Sequence, residues 1–437
     1  MRRYWTAGGL WAADRLATML IAAGVQIALA RVLGPAAFGS LSHALALLSL
    51  LIPLSQAGLS GQLVKNILAA PDAEIAVLRC ALFWRLAGAL LAAFIGGFFL
   101  VDADNEPAAV GLLALLCLGT VGTALQVAEA SAQARSAPRE LVPFRLLITL
   151  AAATAKLAVL ATRPDPASLA WIFALEFLLQ GLAQIIAYRI YRGTWLRPVR
   201  HLEWSRHFGT RAPWLVASGL AEMIYLRIDI VMLLELRGPA EAGVYATAAR
   251  LSEGWYAVPQ IIMVSVFPVL WQLRDSSQRW TQGIQATADA LFWLAVIVAL
   301  TTQFIAEDLV RLIFGDAYLA AAPVLALHVW AGVFVFTRAL ISRWLIAEDL
   351  IRISLWSHGA GALANVLLNL WLIPPYGAQG AAIATLVSYG VAGWAAFVIP
   401  RSTRVVAMQI ARAAALPFRW RDLAGYWNDM TRKRQRF

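Results

Sequence analysis

Apolar residues in this chain come in long blocks separated by short polar gaps, and nearly every block reaches the length that crosses a bilayer. About 20 consecutive apolar residues at a helical rise are enough to span the hydrocarbon. On that spacing we read about twelve transmembrane helices, from Leu10–Ala30 through Phe208–Leu236 and Ala240–Leu273 to Gly377–Ile399. Several are longer than the minimum and are expected to tilt, bend or project from the bilayer. The predicted fold class is therefore an all-α polytopic membrane protein.

The blocks repeat. RVLGPAAFGSLSHALALL, starting at Arg31, returns in degraded form as ELRGPAEAGVYATAARLS, starting at Glu235. A shift of 204 places Gly34 on Gly238, Pro35 on Pro239, Gly39 on Gly243 and Leu47 on Leu251. Internal repetition at nearly half the chain length predicts two related halves, an arrangement that in transporters surrounds a substrate pathway. Pro53 and Pro259 then fall in the second span of each half. Proline removes a backbone donor and kinks a helix, so both second spans are expected to be interrupted. The halves are expected at residues 1–192 and 208–400, with a linker at 193–207 and a basic tail at 401–437.

Composition excludes a soluble globular chain: 61% of the 437 residues are hydrophobic and only 14% are charged, against about 25% charged in ordinary domains. The net charge of +11 does not point to nucleic acid, because the basic residues flank spans on alternate loops. Arg2 and Arg3, Arg135 and Arg139, Arg192 to Arg206, Arg274 and Arg279, and Arg401 onward fall on one side. The opposite turns are poorer in cations: Asp102 to Glu106, Arg163 with Asp165, Glu307 to Asp316, and the uncharged Ile373–Gly380. The positive-inside rule then puts both termini in the cytoplasm of a cell (inner) membrane protein. The MRRYW start resembles a signal peptide, but Asp14 and Arg15 interrupt its apolar run, which reads as a retained first span. Cys80 and Cys117 lie inside apolar blocks and suggest no disulfide framework. For the tail, an interfacial helix on anionic lipid and a solvated basic flank both remain open.

Ionisable groups inside spans carry the functional signal, because burying a charge in hydrocarbon is costly. Asp14, Arg15, Arg85, Glu129, Arg145, Asp289 and Arg338 stand within about two turns of the inner boundary, where they either snorkel or line a vestibule. Deeper are Glu176, Arg227, Asp229, Arg250, Glu253 and His328, with Lys156 nearer the outer leaflet. Arg250 and Glu253 share a helix face at i,i+3. His328 reads as a hydrogen-bonded core histidine ahead of a proton relay. Asn365 and Asn369, four apart, are expected to knit helices together.

No nucleotide-binding loop, metal-ligand cluster or nucleophile motif is recognisable, so neither an enzyme nor a cofactor is expected. The chain resembles the polysaccharide biosynthesis (O-antigen type) flippases of the multidrug/oligosaccharidyl-lipid/polysaccharide exporter superfamily. The resemblance rests on ARVLGPAAFG followed by QAGLSGQLVKNIL, on GPAEAGVYATAARLSEG, and on NVLLNLWLIPPYGAQGAAIATLVSY. It implies two six-helix lobes in a V shape that rock between inward- and outward-open states. It also implies a cargo, an undecaprenyl-pyrophosphate-linked oligosaccharide for lipopolysaccharide or other polysaccharide, moved from the inner to the outer leaflet. Depth and charge, rather than a matched motif, select Arg250, Arg227 and Lys156 as phosphate-attracting cations, with Arg15 and Arg85 along a vestibule. Asp229, Glu253 and Glu176 are the candidates for binding a coupling proton or sodium, or for balancing those cations. Membrane lipids and polysaccharide polymerase machinery are the further partners expected, and no nucleic acid. The alternatives are a cation-coupled exporter of drugs or small molecules from the same superfamily, and a membrane glycan polymerase or ligase.

Overall fold

The computed structural model describes residues 2–98 and 107–419, and every described element is helical. The acidic turn at Asp102, Asp104 and Glu106 and the RKRQR end of the tail lie outside the described residues. The helices are α1 (Arg2–Ser55), α2 (Ser60–Ala69), α3 (Glu74–Phe98), α4 (Pro107–Leu125), α5 (Ala128–Ala134), α6 (Val142–Thr162), α7 (Pro166–Arg192) and α8 (Leu202–Arg237). They continue as α9 (Pro239–Glu253), α10 (Ala257–Trp271), α11 (Ser277–Phe314), α12 (Ala321–His328), α13 (Ala331–Ala347), α14 (Ile351–Gly390), α15 (Ala396–Val398) and α16 (Arg404–Ala414).

Nine runs among the described residues are long and apolar enough to cross a membrane. Two of these runs are each divided by a glycine with non-helical backbone, Gly34 in α1 and Gly377 in α14. Helix α8 is long enough but carries too many charges to count on composition. With it, the twelve expected spans are all present as helices.

Local chemistry explains where the helices stop. Asp165 caps α7, its carboxylate accepting from the amides of Ala167 and Ser168, and Pro166 occupies the first turn, where its missing N–H costs nothing. At the other end Gly193 takes the left-handed conformation, with Arg189 and Arg192 against the negative pole of the helix.

The duplicated Gly-Pro turns have nearly the same backbone. Gly34 has φ 74° and ψ 173°, and Gly238 has φ 89° and ψ 174°. The two copies also meet. A Cβ built on Gly39 would stand 2.8 Å from the amide nitrogen of Gly243 and nearer still to the Pro239 carbonyl oxygen. Reciprocally, one built on Gly243 would stand 2.8 Å from the carbonyl carbon of Pro35. Glycine at both places lets the backbones touch.

Both second spans are interrupted, as expected, though not in the same way. In the first copy α1 ends at Ser55, two residues after Pro53, and positive φ at Ala57 and Gly58 turns the chain into α2. In the second copy the interruption is a 3-10 turn at Gly254–Tyr256, and Pro259 sits in the first turn of α10, where no hydrogen bond is lost. Pro259 is therefore not the interior kink that its place in the repeat suggested. The fourth and tenth spans are interrupted too, at 126–127 and 329–330, within a residue of the same 204 shift.

The chain forms two compact units. The first comprises Met1–Gly243 with Ile313–Ala317, the second Val244–Leu312 with Tyr318–Phe437. Within the first, α4 packs along α7 and α8 along α1, around a core that includes Leu63, Leu78 and Phe208. Within the second, Phe336, Leu340, Ile341 and Phe397 centre the core. The amphipathic α16 buries Val406, Ala407, Ile410 and Ala413 in that core. It is pinned to α11 by polar bonds: Gln285 Nε2 donates to the Gln409 carbonyl at 2.9 Å, and Trp293 Nε1 donates to the Ala413 carbonyl at 2.9 Å. The start of the tail is thus an integral helix of the second unit, with Arg404 and Arg412 left exposed.

Candidate functional site

Most of the charges predicted inside the first unit find partners there. Lys156 of α6, 4% exposed, is paired with Glu176 of α7, and its ammonium lies 3.6 Å from the centre of the Phe173 ring. The carboxylate on one side and the aromatic face on another offset part of what the ammonium loses in hydration. The separation of twenty positions between the partners hid this pair from sequence reasoning.

A second constellation joins α1, α5 and α6. Arg145 contacts Asp14 at 2.8 Å and Glu129 at 3.0 Å, and its guanidinium lies over the Trp11 ring. Arg15 reaches Glu129 at 3.7 Å with most of its side chain exposed. Arg85, 2% exposed, donates to the Ser60 hydroxyl at 3.0 Å, and Ser60 in turn donates to Gln56 Oε1 at 2.9 Å. The guanidinium of Arg85 therefore meets the chain where the second span is interrupted.

On α8, Asp229 is buried at 1% exposure and Arg227 is half-buried. On α9, Arg250 and Glu253 are half-buried. All four are engaged by neighbours. Among the candidate groups, Lys156 and Glu176 are joined by a direct ion pair, Arg15 reaches Glu129, and Arg85 bonds Ser60.

In the second unit the polar groups mainly fasten helices. Arg338 of α13 donates to Ser357 Oγ (2.8 Å) and Ser354 Oγ (3.1 Å), contacts His358 Nε2 (2.9 Å), and donates to the Ala392 carbonyl (2.6 Å). Ala392 lies in a single π-helical turn, Val391–Ala395, whose altered bonding leaves a carbonyl available to the arginine. His328 bonds Ser252 through Nδ1 at 2.9 Å and packs edge-on against Tyr245, so it is a satisfied core histidine. Asn369 donates to Asn365 Oδ1 at 2.9 Å and Asn365 to Ser388 Oγ at 3.1 Å, stapling the two parts of α14 as expected. Asp289 accepts from Arg419 at 2.8 Å and from Gln285 at 2.8 Å.

Polar bridges recur at the interrupted spans. Ser55 and Thr123 hydroxyls stand 2.7 Å apart beside the breaks at 56–59 and 126–127. Ser252 and His328 make the corresponding link beside 254–256 and 329–330. In each unit a side-chain hydroxyl thus ties the interrupted second span to the helix interrupted at 126–127 or at 329–330. No proline marks the second member of either pair, which is why the sequence did not show it.

Among the described residues no group of histidine, cysteine or carboxylate side chains has the geometry to hold a metal.

Residues 28–323 match the family described as "Polysaccharide biosynthesis protein". Two curated relatives come from Haloferax volcanii. "Probable flippase AglR" is 26% identical over 204 residues, 45% of this chain and 41% of the relative. "Probable low-salt glycan biosynthesis flippase Agl15" is 21% identical over 178 residues, 40% of this chain and 38% of the relative. The matches thus span about two fifths of the length of these relatives. Among solved structures, the lipid II flippase MurJ in an inward closed conformation is similar at TM-score 0.71 and 11% identity, over 94% of this chain and 91% of that one. An inward-facing multidrug resistance MATE family transporter of the MOP superfamily is similar at TM-score 0.59 and 13% identity, over 91% and 95%. At these identities the structural likeness establishes the fold, and with it a multi-pass membrane protein.

Proposed function

The chain belongs to the polysaccharide biosynthesis protein family, and from that premise we propose that it is a flippase for a lipid-linked oligosaccharide. The observation that carries the reading is the presence of cations within spans, Lys156, Arg227 and Arg250, in a chain of this family. The cargo proposed is an undecaprenyl-pyrophosphate-linked repeat unit of O-antigen or a related polysaccharide, passed from the inner to the outer leaflet by alternating access of two six-helix lobes, residues 1–192 and 208–400. The names of the haloarchaeal relatives and of MurJ support a glycan-lipid cargo over a drug.

Phosphate is a tetrahedral anion, and the planar guanidinium fork binds two of its oxygens through paired N–H donors. Arg250 and Arg227 act as the phosphate-attracting groups, with Lys156 as a third cation and Arg15 and Arg85 along the approach. Asp229, Glu253 and Glu176 balance these charges, and protonation or sodium binding at one of them couples transport to an ion gradient. Both termini lie in the cytoplasm under this reading, and a polysaccharide polymerase takes the product on the other side.

The test is translocation of a fluorescent lipid-linked oligosaccharide in proteoliposomes. Arg250→Ala is expected to abolish translocation while leaving insertion and folding intact. Full translocation by that variant at normal protein level removes Arg250 from the mechanism.

A further inference from the structure

Helix α16 has two faces that require different surroundings. Val406, Ala407, Ile410 and Ala413 are buried in the core of the second unit. On the opposite side Arg404, Met408 and Arg412 follow one another at i, i+4 and i+8 with Val405 beside them, and all four are exposed. Arg401 is exposed in the turn before the helix, and Phe418, 88% exposed, stands in the 3-10 turn after it. The outer stripe therefore mixes exposed guanidinium groups with exposed apolar side chains.

Its charge is of one sign. No aspartate or glutamate occurs from Pro400 to Arg419. Arg404 is partly engaged by the protein, donating to the Val398 and Ile399 carbonyls at 3.1 and 3.3 Å, and Arg419 is matched by Asp289 at 2.8 Å. Among the described residues, Arg401 and Arg412 have no bonded partner.

The level of the helix in the bilayer follows from what pins it. The Ala407 and Ala413 carbonyls accept from the indoles of Trp394 and Trp293, at 3.0 and 2.9 Å. Gln409 Nε2 donates to the Thr281 carbonyl at 3.0 Å. The helix thus meets α11 between Thr281 and Trp293, on either side of Asp289, one of the groups read above as standing near the inner boundary. Indoles concentrate at the headgroup layer, because the ring is apolar and its N–H polar. Two of them bonded to one short helix mark that layer independently of the arginines.

Three environments compete for the stripe. In water, Val405, Met408 and Phe418 stay hydrated, at a cost proportional to their apolar area. In hydrocarbon, Arg401 and Arg412 would be stranded. In the headgroup layer the guanidinium groups meet phosphate through paired donors while the apolar side chains reach the acyl boundary. An acidic protein would answer the arginines and leave the indoles without a reason. We propose that the outer face of α16 is a docking surface for anionic phospholipid, held at the headgroup layer by the second unit. The orientation proposed above makes that leaflet the inner one, and the inference rests on that reading only for the choice of leaflet.

The test places a bimane fluorophore on Ala411→Cys, at the exposed edge of the stripe, in a full chain carrying Cys80→Ser and Cys117→Ser in phosphatidylcholine nanodiscs. Phosphatidylglycerol or phosphatidylcholine with a nitroxide near the headgroup is then added at equal mole fraction. Both are expected to quench, phosphatidylglycerol at the lower mole fraction. A basic side chain near an anionic surface contributes about fivefold in affinity, so Arg401→Gln with Arg412→Gln should remove about 25-fold of the preference. Both positions are exposed, so this variant should melt with the wild type. Equal quenching by the two lipids overturns the proposal, as does a preference unchanged in the double variant. Quenching by aqueous iodide with none by either lipid also overturns it, and would leave the stripe facing water or an acidic protein. The readout needs no cargo: lost translocation with intact lipid preference fails the flippase reading only, and the converse fails this inference only.

Discussion

The reciprocal contact of the two Gly-Pro copies supports a sharp prediction. Alanine at Gly39 would drive a methyl against backbone that cannot rotate away, 2.8 Å from the Gly243 nitrogen and 2.9 Å from the Pro239 carbonyl carbon, with the oxygen nearer still. Ordinary contact begins at 3.4 Å, so the two backbones must part by roughly 1.5 Å to clear that oxygen, forfeiting dispersion along the crossing. Overpacking of this kind costs about 1–3 kcal/mol and outweighs the roughly 0.5–1 kcal/mol that alanine gains over glycine within a helix. Gly243→Ala should cost a similar amount, because Pro35 stands to Gly243 as Pro239 stands to Gly39. The double variant should cost less than the sum, since one opening relieves both clashes. Gly24→Ala, on the same helix with nothing within 4 Å of its Cβ, is the control and should be neutral or slightly stabilising. Thermal unfolding of the purified variants in detergent reads all four. Gly39→Ala melting with the wild type, or strictly additive single variants, would refute the crossing as described.

Three more expectations concern the polar bonds. Lys156→Met should destabilise by about 3–5 kcal/mol by stranding the Glu176 carboxylate, and adding Glu176→Leu should restore much of the loss; equal melting of all three proteins would show that no such pair forms. Arg338→Met, which removes the bonds to Ser354, Ser357 and Ala392, should lower stability by about 3 kcal/mol or more, whereas an unchanged denaturation midpoint would deny the π-turn its role. Asp165→Ala should cost about 0.5–2 kcal/mol near neutral pH through loss of the α7 cap. The Ser168 hydroxyl and amide hold the Asp165 carboxyl below its ordinary range, so its contribution is full above that range and fades as pH falls through the depressed value. Melting curves of both proteins should therefore converge in acid, and a constant gap would contradict the cap.

Much of the fold was legible because two sequence signals are local. Apolar length located the spans, and the Gly-Pro dipeptides located the turns at Gly34 and Gly238. Pairing was not legible, because it depends on which helices become neighbours. Depth alone singled out Lys156 and Glu176 as unusual without showing that they answer each other. The same limit hid the bond from Arg338 to Ala392, whose carbonyl is freed by a π-turn that no residue type announces. The interruptions at 126–127 and 329–330 lack proline or glycine and emerge only from packing.

The docking of α16 on α11 has a consequence for biosynthesis. Gln285 and Asp289 enter the membrane with α11, but their partners Gln409 and Arg419 are made 124 and 130 residues later. At about 5–20 residues per second, that interval is roughly 6–25 s of translation. During it, a carboxylate and an amide stand in a half-assembled unit without the helix that will cover them. The second unit therefore completes its polar bonding on α11 only after the last described helix has been made.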